Sequence, residues 1–151
     1  MITAVLDVNV LVSALLTPRG TPCLVLTAWE QQRFRSVTSE HIIADASAKL
    51  SRPDLGGAYG VTQDDIGWVR ALLQTQAEIV TIGPVQVVPV TGDPEDDIVL
   101  ATAVVGRATY LVTGDKGLLN LGSCADVLIV SPREFLQVLE QSEQSQGIHH
   151  P

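Results

Sequence analysis

Acidic residues that could hold a metal ion fall in four separate stretches of this 151-residue chain. Asp7 follows the apolar run 2–6, and Asp45 lies within 39–50. Asp93, Glu95, Asp96 and Asp97 crowd into five positions, and Asp115 closes Val112-Thr113-Gly114-Asp115. Carboxylates from distant stretches that meet in one place repel. At about 5 Å and an effective dielectric near 20, each close pair costs roughly 3 kcal/mol. A marginally stable domain does not carry several such pairs without relief. Protonation relieves them in part. A divalent cation relieves them better, and Mg²⁺ and Mn²⁺ are the ions that take a few carboxylates and keep waters. The sequence offers no Cys–His spacing suited to zinc. An all-carboxylate site polarises phosphate oxygens and activates water, which is the chemistry of phosphodiester hydrolysis or phosphoryl transfer. There is no GxxxxGK[ST] loop and no GxGxxG after the first apolar run. Hydrolysis by water fits the residue set best.

Each acid also has a plainer local role. Asp7 suits a helix cap, although Asn9 offers itself for the same cap and would leave Asp7 free. Asp45 is spaced for an i,i+4 pair with Lys49, worth a few tenths of a kcal/mol. Asp93-x-x-Asp96 resembles a capping box, and acids in a first turn suit the helix dipole. A cap does not require four acids, however. Asp115 fits a turn at a helix start. Arg19, Arg52 and Lys116 are the candidates to hold a phosphate backbone, with solvated surface charge as the plainer role of each.

Positioning these acids falls to a chain in which strands and helices alternate. Residues 2–6 form an apolar run without polar alternation, the pattern of a strand buried on both faces. Helical spacing over 10–16 is broken at Thr17-Pro18-Arg19-Gly20, and Thr21-Pro22 opens a helix to about Gln32. A second strand covers 35–38. Ser39 caps a helix to about Leu50, and Thr62 caps another with Ile66, Val69, Leu72 and Leu73 on one face. A third strand is expected over 78–82, then an extended stretch over 85–90. Asp93-Pro94 begins a helix to about Val105 that is apolar all round from Ile98, so it packs deeply. Further strands cover 110–112 and 127–130, and Ser131-Pro132 caps a last helix to about Leu139. Residues 140–151 are polar and expected to fray. This alternation calls for a parallel sheet with helices on both faces, which binds ligands beyond the carboxyl ends of its strands. Asp7 and Asp115 each follow a strand, so both are expected on that edge.

The length suits one domain. With 46% hydrophobic and 17% charged residues, the composition is that of a folded core, neither disordered nor membrane-spanning. The formal net charge of −8 counts against nucleic-acid binding. A metal site concentrates acids by design, however, and seven of the nine basic residues are Arg, the better phosphate partner. Cys23 and Cys124 read as small apolar residues in a reducing compartment. No basic region precedes the first apolar stretch, and no apolar run reaches membrane-spanning length. A cytosolic protein with no membrane association is expected.

Val5-Leu6-Asp7-Val8-Asn9-Val10-Leu11-Val12-Ser13-Ala14-Leu15 resembles the opening block of PIN domains, in particular those of ribonuclease toxins from bacterial toxin–antitoxin pairs. Residues 39–53, ending Leu50-Ser51-Arg52-Pro53, resemble the second block of that family. Asp93-Pro94-Glu95-Asp96-Asp97 with Leu100-Ala101-Thr102-Ala103 resembles the third, and Tyr110-Leu111-Val112-Thr113-Gly114-Asp115-Lys116-Gly117-Leu118-Leu119 the fourth. The resemblance runs in order from about Ile2 to Leu136. It implies a Rossmann-like three-layer α/β/α sandwich over residues 1–139, with a central parallel sheet of about five strands in order 3-2-1-4-5. It also implies an Mg²⁺- or Mn²⁺-dependent ribonuclease with an RNA substrate, a small antitoxin partner and a homodimer. On the family pattern Asp7, Asp96 and Asp115 match metal ligands, with Asp97 as a rival to Asp96. Asn9 and Thr113 match polar residues that support them. Asp45 stands where the family usually has a catalytic Glu, and Gly117 where a further acid often follows. Asp45 is shorter than Glu by one methylene, and Gly117 puts a second metal in doubt. Both departures motivate the alternative that the chain binds RNA or a protein without cutting. A phosphoacceptor signalling domain is disfavoured, because 78–82 ends in Gly83-Pro84 with no Asp to modify.

Overall fold

Short strands, most of them with Val, Leu or Ile at their buried positions, build the sheet, and helices cover it. The computed structural model describes the backbone of residues 1–148 and the side-chain surroundings of residues 1–145. The elements follow in the order β1 (Thr3–Leu6), α1 (Val8–Leu16), α2 (Thr21–Glu30), β2 (Arg35–Thr38), α3 (Glu40–Leu50), α4 (Gln63–Gln76), β3 (Ala77–Ile79), α5 (Pro94–Val105), β4 (Tyr110–Val112), α6 (Lys116–Leu121), β5 (Ser123–Cys124), β6 (Val127–Val130) and α7 (Pro132–Ile148). The sheet order is β3-β2-β1-β4-β6-β5, and every pairing is parallel except β5 with β6. Val5, Val37 and Leu111 lie side by side at its centre and are buried, as strands flanked by helices on both faces require. This is the expected α/β architecture, and its parallel strands take the expected order.

Several boundaries differ from expectation. The sheet has six strands. The additional one is the two-residue β5, which folds back on β6 through Ala125 at φ 51°. So short a segment carries no periodicity to read. β3 ends at Ile79, short of Ile82, and only the Val80 N–H still reaches Thr38 O, at 2.9 Å. Residues 84–86 form a turn of 3₁₀ helix inside the stretch expected to be extended. The last helix continues past Leu139 to Ile148. Phe135 and Leu139 bury one face of it, and Arg33 grips Glu143 through two hydrogen bonds of 2.7 and 2.8 Å. The expected polar tail is therefore helical as far as it is described, and residues 149–151 lie outside the described residues.

The helix that carries Asp96 is set hard against the sheet. A Cβ on Gly106, just after α5, would fall 2.4 Å from Val37 Cγ1, so only glycine permits this approach. One turn earlier, Thr102 Oγ1 donates to Ser39 Oγ at 3.1 Å, just beyond β2. α5 therefore starts at the carboxyl edge of the sheet and runs back towards the amino edge, where the Thr109 N–H bonds Thr3 O. Among the described residues, no single helix is long and apolar enough to cross a membrane.

Candidate active site

At the carboxyl edge the chain leaves β1 and β4 side by side, and a continuous set of hydrogen bonds joins the two exits. The Asp7 N–H donates to Val112 O at 2.9 Å, which places Asp7 against the end of β4. Its Oδ1 accepts from the Val8 N–H and its Oδ2 from Thr113 Oγ1, each at 2.7 Å. Thr113, fully buried, accepts in turn from the Asp115 N–H at 3.0 Å. Asp115 caps α6, its Oδ2 accepting from the Leu118 N–H at 2.9 Å. Asn9 Oδ1 accepts from the Gly114 N–H at 3.3 Å and closes the set. Asp7 itself is the cap of α1, and that helix begins at Val8. Of the two candidates for that cap, Asp7 takes it, and Asn9 reaches across to the β4 exit.

Burial raises the Asp7 carboxyl above its ordinary range. Hydrogen bonds from Thr113 and Val8 oppose the rise, the Asp115 charge adds to it, and Lys49 lowers it. Asp96, in the first turn of α5, is pushed up to about 6 by burial and by the charges of Asp115, Asp93, Asp7 and Asp97. The fields of the acids from β1, β4 and α5 thus overlap at Asp96. Its carboxyl accepts no hydrogen bond among the described residues.

Asp97 is committed elsewhere. Its Oδ1 accepts from the Val90 N–H at 3.1 Å, the Thr91 N–H at 2.9 Å and Thr91 Oγ1 at 2.7 Å. Desolvation pushes this carboxyl up, but those hydrogen bonds outweigh it and hold the group below its ordinary value. Asp93 caps α5 through the Glu95 N–H at 2.9 Å. Of the three neighbouring aspartates, Asp96 is the one whose side chain carries no structural bond among the described residues.

Asp45 pairs with Lys49, Nζ to Oδ2 at 3.4 Å. It is not among the charges acting on Asp7 or Asp96. The plainer role foreseen for Asp45 is what the structure shows. Lys49 was missed as a neighbour of Asp7, though its place four residues after Asp45 was the available signal. Arg52 is engaged by Asp54 at 2.6 and 3.1 Å. Arg19, between α1 and α2, and Lys116, at the start of α6, are exposed. His41, at the start of α3, was not singled out from the sequence. Its Nε2 is buried with no partner among the described residues.

No three His, Cys, Asp or Glu side chains among the described residues stand close enough together to form a ready metal-ligand group. The donor chemistry nonetheless fits a hard cation: the charged groups that act on one another at this edge are carboxylates, and Asp96 is held near 6 by burial and by the charges of the others. Mg²⁺ is commonly bound through only one or two carboxylates with waters completing the shell.

Residues 3–117 match the PIN domain family. The chain is also similar to an uncharacterised protein, MJ1680, of Methanocaldococcus jannaschii, with 26% identity over 148 residues covering 93% of each chain. PIN domains are generally nucleases and typically use divalent metals. The matched segment contains β1 through β4 and all four acid stretches, and on that match the chain belongs to the PIN domain family.

Proposed function

We propose that this protein is a divalent-metal-dependent endoribonuclease. The observation that carries the reading is Asp96: half-buried, unbonded, and held near 6 by burial and by the charges of acids from β1, β4 and its own helix, at the edge where such a sheet binds ligands. Asp96 and Asp115 would hold Mg²⁺ or Mn²⁺, with Asp7 beside them. When bound, the ion supplies Lewis-acid polarisation of a phosphoryl oxygen and activation of water. Thr113 fixes the Asp7 carboxyl and the Asp115 backbone together, and Asn9 holds the β4 exit. Lys49, steadied by Asp45, places a positive charge near Asp7, and Arg19 and Lys116 are exposed to meet the RNA backbone. On this reading Asp45 acts through Lys49.

The toxin role, a small antitoxin and a homodimer belong to the same proposal. Half-exposed Val88, Val90 and Val104 line one apolar groove of about 180 Å³, which supports a surface covered by a partner. The free thiols of Cys23 and Cys124 are in keeping with a reducing cytoplasm.

The test is cleavage of labelled single-stranded RNA across a Mn²⁺ titration, alongside calorimetric Mn²⁺ binding. Asp96→Asn is expected to lower cleavage by about a thousandfold, in line with several kcal/mol of metal-derived stabilisation. It should also weaken Mn²⁺ binding and leave the fold intact. Equal cleavage by wild type and variant would identify a contaminant and end the proposal. A second reading, a PIN fold that binds RNA or protein without cutting, is favoured by the lack of a ready ligand group and by the tying of Asp45 to Lys49. RNA binding with no cleavage at any Mn²⁺ concentration would establish it.

A further inference from the structure

We infer that the cavity at the carboxyl edge of the sheet is a nucleobase pocket, in which one unpaired base of the RNA lies against His41. This deepens the ribonuclease reading and rests on it. The cavity, of about 380 Å³, opens at the same sheet edge as the acids, between the residues that follow β2 and those that follow β3. Val80, Ile82, Pro84, Val87 and Ile98 supply apolar walls, and His41 joins them from the start of α3. Its volume is within the range of small-molecule sites, about 300–1,000 Å³.

Three observations select a base as the occupant. Ile98 is two residues beyond Asp96 on α5, about 3 Å along the helix axis and about 200° around it, so the cavity and the acids flank the start of α5 on different sides. A strand held at the acids by one phosphate and passing over the start of α5 brings a neighbouring base to the cavity. Apolar walls with a histidine ring suit a flat π-faced group that carries donors and acceptors on its edge, which is how unstacked RNA bases are received. The buried Nε2 of His41 lacks a partner among the described residues, and a base edge entering the cavity, with a turn of the ring, supplies one.

Nucleosides test the pocket without phosphate, metal or turnover. Adenosine, guanosine, cytidine and uridine would each be titrated into the isotope-labelled protein in EDTA, with amide shifts followed by NMR. At least one should give saturable shifts centred on residues 39–41, 80–87 and 98. Ile82→Trp, which fills the cavity, should abolish them, and His41→Ala should weaken the affinity about fivefold or more, with His41→Phe recovering part. Absence of saturable shifts with all four nucleosides, or shifts that survive Ile82→Trp, would overturn the pocket. RNA cleavage by the same variants separates the two readings. If wild type cleaves and Asp96→Asn does not, while His41→Ala and Ile82→Trp leave KM unchanged, the pocket fails and the ribonuclease stands. If wild type never cleaves, the ribonuclease reading fails, and the nucleoside titration still decides the pocket.

Discussion

Asp7 and Asp96 sit at the same sheet edge and both are raised by burial, yet they are held in opposite ways. Both oxygens of Asp7 accept hydrogen bonds, one from its own helix start and one from Thr113 across the sheet. Asp96 accepts none among the described residues, and its neighbours Asp93 and Asp97 take the structural work of α5. Folding alone fixes the half built on β1 and β4, because its bonds are helix caps and strand-end contacts that the chain needs in any case. The half built on α5 brings a carboxylate to the edge and leaves it unpaired. A site assembled this way has one rigid side and one side free to adjust to a ligand.

The strongest way to break this contrast is at Thr113, the side chain that joins the acids of the β1 and β4 exits. In Thr113→Val the shape is nearly kept, but Asp7 Oδ2 loses a buried donor and the Asp115 N–H loses its acceptor. The expected loss of stability is about 2 kcal/mol, within the usual cost of orphaned buried groups. Metal affinity should fall about 10- to 100-fold, as it does when a residue that orients a ligand is removed. Thr113→Ser keeps the hydroxyl and should recover most of both. Urea melts and Mn²⁺ titrations measure the two effects. If the valine variant is as stable as wild type, the β1–β4 side is not rigid in the sense described.

A smaller effect separates Asp97 from Asp96 directly. Asp97→Ala removes three hydrogen bonds that hold residues 90 and 91 to α5, and should cost about 1–2 kcal/mol. Asp96→Ala in EDTA removes only a repelled charge, and should leave stability unchanged or slightly higher. Thermal melts of the pair give the sign. A reversed order would assign the structural role to Asp96 and dissolve the contrast.

Much of this was legible before any coordinates. Asp7 and Asp115 were placed on one edge because each follows a short apolar strand, and the strand order followed from alternation and the family pattern. The choice between Asp96 and Asp97 was not legible. Adjacent acids on one helix differ by about 100° of rotation, and what separates them is a loop, residues 90–91, whose fold no periodicity announces. Lys49 was read as a partner of Asp45, and its proximity to Asp7 depends on how α3 meets α1. His41 gave no signal, because a lone histidine near a helix start acquires meaning only from the cavity it lines. The helix beyond Leu139 was missed because polar sequence was taken for loss of structure, whereas Arg33 holds it from a distant turn.

The smallest expected effect, and the most specific to the unpaired side, is in the pH dependence of the metal-free protein. The Asp96 carboxyl stands at about 6 in the folded chain against 3.8 for an unperturbed aspartate, so the folded state binds its proton more tightly than the unfolded state. Its contribution to stability is therefore fully present below about pH 4 and is lost as the pH rises through about 6. Asp7 shifts in the same direction, and Asp97, held low, works in the opposite sense. Subtracting the Tm of Asp96→Asn from that of wild type in EDTA cancels these others. The difference should fall by about a few degrees between pH 4 and pH 7. Saturating Mn²⁺ should remove the fall, because a bound cation stabilises the ionised carboxylate that pH alone leaves repelled. A difference that stays flat in EDTA would mean that neither burial nor the charges of Asp115, Asp93 and Asp7 raise Asp96. The α5 side would then have no need of a cation.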